Sequence, residues 1–357
     1  MRVALIGPPY SGKTTLFEAI AAAGGSTVDV SRADQPHLAV AKLPDERLDW
    51  LAEHYKTKKV VPAELEVLDM PGVDLADPTA REHWRRHWSQ VRDCAMTVLV
   101  VRDFADPSAP AYRGRVDAAA DAAELLAEMQ FADLDQATGR IERLQEGLNK
   151  PKKPAERDAI RHELELMERL RDALENDRPA SEAVHNEAEA KLVRSFAFLT
   201  LKPQLIVRNC DEGDAARPDE TIAGVHAMSV SAKIEKELAQ LDPADRQEFL
   251  ADLNLTAPAR DRLLRHCFAE MSMITMLTAG EPECRAWPLE AGTDAVTAAG
   301  EIHSDIARGF IRAETMAYED LRSAGDVKAV KAAGKFRLEG KQYVVQDGDV
   351  INFRFNV

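Results

Sequence analysis

Residues 7–15 read Gly-Pro-Pro-Tyr-Ser-Gly-Lys-Thr-Thr. Within them Gly7, Gly12, Lys13 and Thr14 satisfy the G-x-x-x-x-G-K-[ST] spacing of a loop that holds nucleotide phosphates. Glycines let the backbone curl until its N–H groups converge on phosphate oxygens. Lys13 is the candidate catalytic group, because its ammonium offsets charge on the β- and γ-phosphates. The Thr14 hydroxyl is a candidate Mg²⁺ ligand. Pro9, Tyr10, Ser11 and Thr15 complete the loop and are counted with it as nucleotide contacts.

A second element must help to hold the metal. The run "LEVLDMPG" ends an apolar stretch with Asp69, and Gly72 follows three residues on. Asp69 is expected to hold Mg²⁺ through water, and the Gly72 N–H to contact a γ-phosphate. A third element must read the base. "QLIVRNCDE" and "SVSAKIEKEL" supply Asn209, Glu212, Ser231, Ala232 and Lys233 as candidates. GTPases use Asn-Lys-x-Asp, whose aspartate accepts two hydrogen bonds from guanine. Here Cys210 takes the lysine position and Glu212 the aspartate position. A longer carboxylate does not fit that bidentate geometry, and adenine has no matching donor pair. The change therefore points to ATP over GTP. Asp211 reads as a solvated turn residue.

These groups need a scaffold. "RVALI", "ELEVLDM", "AMTVLVVRDF", "PQLIVRN" and "GVHAMSVSA" read as strands, with helices at Pro44–Tyr55 and Arg81–Arg92 between them. Alternating strands and helices predict a parallel sheet with both faces covered. From about Asp117 to Phe198 the pattern changes. Leu125, Leu134, Ile141, Leu144 and Leu148 precede the breaker "NKPKKPAER", and Leu164, Leu166, Leu170 and Leu174 follow it. That spacing predicts an antiparallel helical hairpin with a lysine-bearing tip. Residues 233–272 read as helical. The remainder reads as a small mixed unit with a brief helix around Ser304–Phe310.

Composition bounds the partners. The chain has 357 residues, 45% of them apolar, with a net charge of −15. That charge argues against general coating of DNA or membrane. No apolar run approaches the ~20 residues needed to span a bilayer. The four cysteines are widely spaced and suggest reduced thiols, so a cytoplasmic protein is expected.

Together these elements resemble the YchF family of Obg-like ATPases, within the translation-factor class of phosphate-loop NTPases. The resemblance is strongest at "LPDERLDWLAEHYK", "LTLKPQLIVRNCDE", "ITMLTAGEPECRAWPL", "TAAGEIHSDIARGFIRAE" and "GKFRLEGKQYVVQDGDVINFRFNV". It implies an α/β phosphate-loop NTPase domain built on a parallel sheet (residues 1–116 and 199–272). It also implies an inserted helical coiled-coil hairpin (117–198) and a C-terminal TGS domain of β-grasp type (273–357). The implied activity is slow ATP hydrolysis with Mg²⁺. The implied partner is the ribosome or RNA, met through the TGS domain and the helical arm, in translation or stress response.

Departures from the family pattern are visible. Tyr10 stands where the family loop carries Asn, which counts against K⁺ activation. Counting back from Pro44 puts Ala33 where a metal-closing Thr is usual; Thr27 or Ser31 substitutes only if the loop shifts. After Asp69 and Gly72 the usual switch glycines give way to "VDLADPTAREHWRRHW". Val73 occupies the position of the water-orienting glutamine in Ras-like proteins. His83 and His87 share a helix face, and packed or solvated roles suit them better than catalysis. A switch or scaffold with little or no hydrolysis is the first alternative, and a true GTPase the second. From Val327 to Val357 six Lys/Arg face three Asp/Glu, a local excess of three positive charges. That excess is suited to RNA. Tyr343, Phe353 and Phe355 read as core residues.

Overall fold

The computed structural model describes residues 1–25, 28–253 and 255–356. Thr27, considered above, lies outside them. Contacts divide the chain into two units, residues 1–39 with 66–260 and residues 40–65 with 261–357. Among the described residues no helix is long and apolar enough to cross a membrane.

In chain order the first elements are β1 (Arg2–Ile6), α1 (Lys13–Ala23), β2 (His37–Lys42), α2 (Glu46–Tyr55), β3 (Val60–Val61) and β4 (Glu64–Asp69). Then come α3 (Pro78–Trp84), α4 (Trp88–Arg92), β5 (Met96–Asp103), α5 (Ala118–Leu148), α6 (Pro154–Glu175) and α7 (Glu187–Arg194). They are followed by β6 (Gln204–Cys210), β7 (Glu220–Ile222), β8 (Val225–Val230), α8 (Ala232–Leu238), α9 (Pro243–Asp252) and α10 (Ala259–Glu270).

Seven strands form one sheet in the order β2-β4-β1-β5-β6-β8-β7. β4, β1, β5, β6 and β8 run parallel, and β7 is an antiparallel edge. The central strands are continuous apolar runs because both faces are covered: Val98 to Val101 are fully buried. Parallel strands of this kind open their ligand crevice at their carboxyl ends. Gly7, Asp69, Asp103 and Asn209 all lie at those ends.

The expected helix over Arg81–Arg92 is two helices, α3 and α4, joined by a 3-10 turn at Arg85–His87. Trp84 and Trp88 both turn into the core, edge to face with ring centroids 4.7 Å apart. The stretch 233–272, read as helical, holds three helices. The helical hairpin is α5 against α6, and its apolar positions serve two cores. Leu125 and Met129 join the sheet's core, whereas Ile141 and Leu144 meet Leu166, Leu170 and Leu174.

The second unit carries β9 (Met273–Thr278), β10 (Cys284–Glu290), α11 (Ala295–Ile302), α12 (Ser304–Arg308) and β11 (Phe310–Ala317). It continues with α13 (Tyr318–Ala324), α14 (Val327–Ala332), β12 (Arg337–Glu339) and β13 (Asp349–Phe355). Its sheet has the order β12-β11-β13-β9-β10-β3. α2 belongs here: Arg47 pairs with Asp45 and, at 2.7 Å, with Asp347. Phe353 is buried and Tyr343 packs on the same cluster, as expected. Phe355 is not a core residue; at the last position of β13 it is 43% exposed. α11, α13 and α14 go beyond the single brief helix read from sequence.

Candidate nucleotide and metal site

The loop after β1 makes its turn with two left-handed residues, Tyr10 (φ 61°) and Gly12 (φ 81°). Tyr10 keeps its ring in solvent, which is tolerable for one residue of a tight loop. Gly12 has a further reason to be glycine: a Cβ there would lie 2.0 Å from Asn209 Nδ2. Gly7 is closed in from another side, since its Cβ would meet the Val100 carbonyl at 2.2 Å. Close neighbours thus require glycine at both ends of the curl, a backbone carbonyl at Gly7 and a side-chain amide at Gly12. Gly12 also caps α1, which places the helix N-terminus at the loop.

Lys13 and Asp69 are almost wholly buried, with 5% and 2% of their side chains exposed. The Lys13 ammonium bonds the Asp69 carboxylate and the Met70 carbonyl. Burial pulls Lys13 below its ordinary pKa, and the Asp69 charge opposes that pull. Thr14 Oγ1 donates to Asp69 Oδ2 at 2.9 Å. The structure therefore gathers the two expected metal groups and the expected catalytic lysine at one point, although Asp69 lies 55 residues beyond Thr14. Gly72 closes the same place: Val73 N–H donates to the Gly7 carbonyl at 3.0 Å, and a Cβ on Gly72 would come within 3.2 Å of Pro9 Cα.

A cavity of about 450 Å³ opens over these groups. Pro9, Tyr10, Ser11, Gly12, Lys13, Thr14, Thr15, Asp69 and Gly72 line it, with Ala33 and His37 on the remaining side. Gly7 shapes the loop from beneath. Ser11 Oγ is buried without a hydrogen-bond partner. A phosphate-loop cradle, a buried ammonium, a hydroxyl beside a carboxylate and an unmet hydroxyl are the donor set that a Mg²⁺-bound polyphosphate needs.

A second cavity, about 570 Å³, shares Gly12 and Thr15 with the first. Asn209, Glu212, Ser231, Ala232 and Lys233 line it, so all five candidate base contacts come together. Asn209 is committed to the protein: Nδ2 donates to the Ser11 carbonyl and Oδ1 accepts from Ala232 N–H, both at 2.9 Å. Glu212 and Lys233 form an ion pair at 2.7 Å across the rim. Cys210 is buried, and burial pushes its thiol up to about 11. Asp211 is not merely a solvated turn residue; its carboxylate accepts from Ala105 N–H at 3.3 Å.

Sequence reasoning missed Phe104, Ala105 and Asp106, which form the facing wall. Buried Arg102 shapes that wall by donating to the carbonyls of Phe104, Asp106, Ala109 and Pro110. Their signal was position: they follow the carboxyl end of β5, beside the loop strand. His37 had no such signal. His87 is buried and bonds Gln90 at 3.0 Å, in line with a packed role.

Two family models match the chain. One for the C-terminal part of YchF GTPases, described as "Protein of unknown function (DUF933)", covers residues 273–356. Another, described as "50S ribosome-binding GTPase", covers residues 2–131. The chain is 38% identical to the ribosome-binding ATPase YchF of Bacillus subtilis, over 99% of this chain and 98% of that one. It is 35% identical to the ribosome-binding ATPase YchF of Haemophilus influenzae, with the same coverage. It is 30% identical to Obg-like ATPase 1 of Bos taurus, over all of this chain and 92% of that one. The solved structure of the Schizosaccharomyces pombe YchF GTPase superposes with a TM-score of 0.84 at 27% identity, covering 99% and 97% of the two chains. With a phosphate-loop site built as described and similarity running end to end, the chain belongs to the YchF family.

Proposed function

We propose that the protein is a regulatory phosphate-loop ATPase that binds Mg²⁺–ATP in preference to GTP, hydrolyses it slowly to ADP and phosphate, and associates with the ribosome. One observation carries the base preference: the carboxylate at the guanine-reading position, Glu212, is held by Lys233. A lengthened and already paired carboxylate is a poor acceptor for the two guanine donors. In this reading the loop N–H groups and Lys13 bind the phosphates, and Thr14 and Asp69 hold the metal. When bound, Mg²⁺ neutralises charge on the β- and γ-phosphates.

Slow turnover follows from what surrounds Gly72. Val73 is buried in the core and carries no group that orients water. His87 is engaged by Gln90. Ala33 lines the cavity where a hydroxyl is usual. The same observations favour the second reading, a nucleotide-dependent switch with little hydrolysis.

The ribosome assignment is supported by what the bacterial relatives are named for. The charge excess near the C-terminus adds little, because Lys335 pairs with Asp320, Arg337 with Asp349 and Arg354 with Glu314. The proposed contact surfaces are a TGS-type domain at 273–357 and the arm at 117–198, whose tip carries exposed Lys150, Lys152 and Lys153.

Calorimetric titration with ATP, GTP, ADP and GDP, with and without Mg²⁺, tests the binding claim. At least tenfold tighter ATP binding is expected, and a GTP preference overturns it. Steady-state phosphate release, with Lys13→Ala as the control, separates slow hydrolysis from none.

A further inference from the structure

His37 begins β2 at the edge of the phosphate cavity. Its side chain is only 11% exposed. Both ring nitrogens are buried, and neither has a hydrogen-bond partner. Nδ1 lies 3.8 Å from Asp69 Oδ2, beyond hydrogen-bond range. Phe17 flanks the ring, with centroids 6.3 Å apart. Buried polar atoms are ordinarily met, so an imidazole left unmet at the mouth of a site points to a partner.

Asp69 supplies the reason. Here its carboxylate is shared by Lys13 and Thr14. A lysine at this place in a phosphate loop turns to the phosphates when nucleotide binds. Asp69 then loses its strongest donor at the moment it is needed to hold a metal. His37 is the neighbouring group able to give that carboxylate a further donor, on Oδ2, the oxygen Thr14 also reaches and not the one Lys13 holds. A shift of roughly 0.8 Å brings Nδ1 into bonding range. Among the other cavity residues of this segment, Val30 and Ala33 carry no donor side chain, and Gln35 is exposed.

We propose that His37 is a positioning residue for the metal: it donates to Asp69, orients that carboxylate for Mg²⁺ and so sets how strongly the metal tightens nucleotide binding. The proposal rests on the reading of the site as one for Mg²⁺–ATP. Outer partners of this kind are worth 10–100-fold in metal affinity.

The test is Mg²⁺ titration of full-length protein with a fluorescent ATP analogue, read as binding and not as turnover. For His37→Ala, the Mg²⁺ concentration giving half-maximal enhancement should rise at least tenfold, while binding in EDTA stays within twofold of wild type. His37→Asn places an amide where Nδ1 stands and should recover most of the loss. If His37→Ala keeps the wild-type Mg²⁺ dependence, or loses affinity equally in EDTA with a lower melting temperature, the proposal is overturned. A wild type whose binding ignores Mg²⁺ overturns the underlying site reading instead, and the inference with it.

Discussion

Asn209 donates from Nδ2 to the Ser11 carbonyl across 2.9 Å, while its Oδ1 accepts the Ala232 N–H. One side chain thereby ties the phosphate loop to the start of α8. Removing it leaves buried backbone groups unmet, at about 1–3 kcal/mol for each. Asn209→Ala should lower the melting temperature by several degrees and weaken ATP binding roughly tenfold. Gly12→Ala should do more, because its Cβ would overlap Asn209 and the residue must also hold φ at 81°. Calorimetry on both variants decides; an Asn209→Ala protein with wild-type affinity would show that the loop is held by something else.

Trp84 gives a second handle. Its Nε1 donates to the Pro71 carbonyl at 2.9 Å, one residue before Gly72. From the same helix, Arg81 pairs with buried Glu128 on α5. A nucleotide that engages Gly72 therefore perturbs the surroundings of Trp84. Tryptophan emission should change on ATP binding in the wild type, and at least half of that change should vanish in Trp84→Phe. Loss of the single hydrogen bond costs about 1 kcal/mol, so the variant should still fold. An undiminished signal in Trp84→Phe would place the reporter elsewhere.

The site was legible wherever chemistry is local in sequence. The spacing from Gly7 to Thr14 names its own geometry, and the strands that carry Asp69 and Asn209 near their ends bring the other two groups to the same carboxyl end of the sheet. Contacts set by tertiary packing were not legible. Nothing in "QLIVRNCDE" says that the Asn209 amide will be spent on Ser11 and Ala232, nor that Lys233 will reach Glu212. The 3-10 turn at Arg85–His87 was not legible, because Trp84 and Trp88, four residues apart, share a face in an unbroken helix as well. α11 and α14 were more readable than they were read. Asp294 and Asp326 cap them by accepting from Thr297 and Ala329 N–H.

Asp133, at the root of the helical arm, is fully buried and accepts from four donors. They are Arg92 Nη1, the N–H groups of Leu199 and Thr200, and the Thr200 hydroxyl. Asp133→Ala strands a largely buried guanidinium and two amides, a loss of about 3–5 kcal/mol. Thermal unfolding should report a fall of roughly 6–20 °C. A change within 2 °C would mean that Arg92 is satisfied by the Ala132 and Ala197 carbonyls alone.

Cys267 predicts the alkaline limb of the stability curve. It is 1% exposed on α10, and burial pushes its thiol up to about 12. The ordinary value of a cysteine thiol, which stands for the unfolded chain, is 9.0. The folded state thus holds a proton that the unfolded state releases. This contribution is fully present below pH 9 and is lost as pH rises toward 12. Within that window, one proton of difference is worth about 1.4 kcal/mol per pH unit. Cys267→Ala removes the titration but opens a small hole in the packing, so the variant should be less stable at pH 7 and lose less on going from pH 9 to pH 10.5. Denaturant unfolding across that range measures both slopes. Parallel slopes for the wild type and the variant would exclude Cys267 as the source.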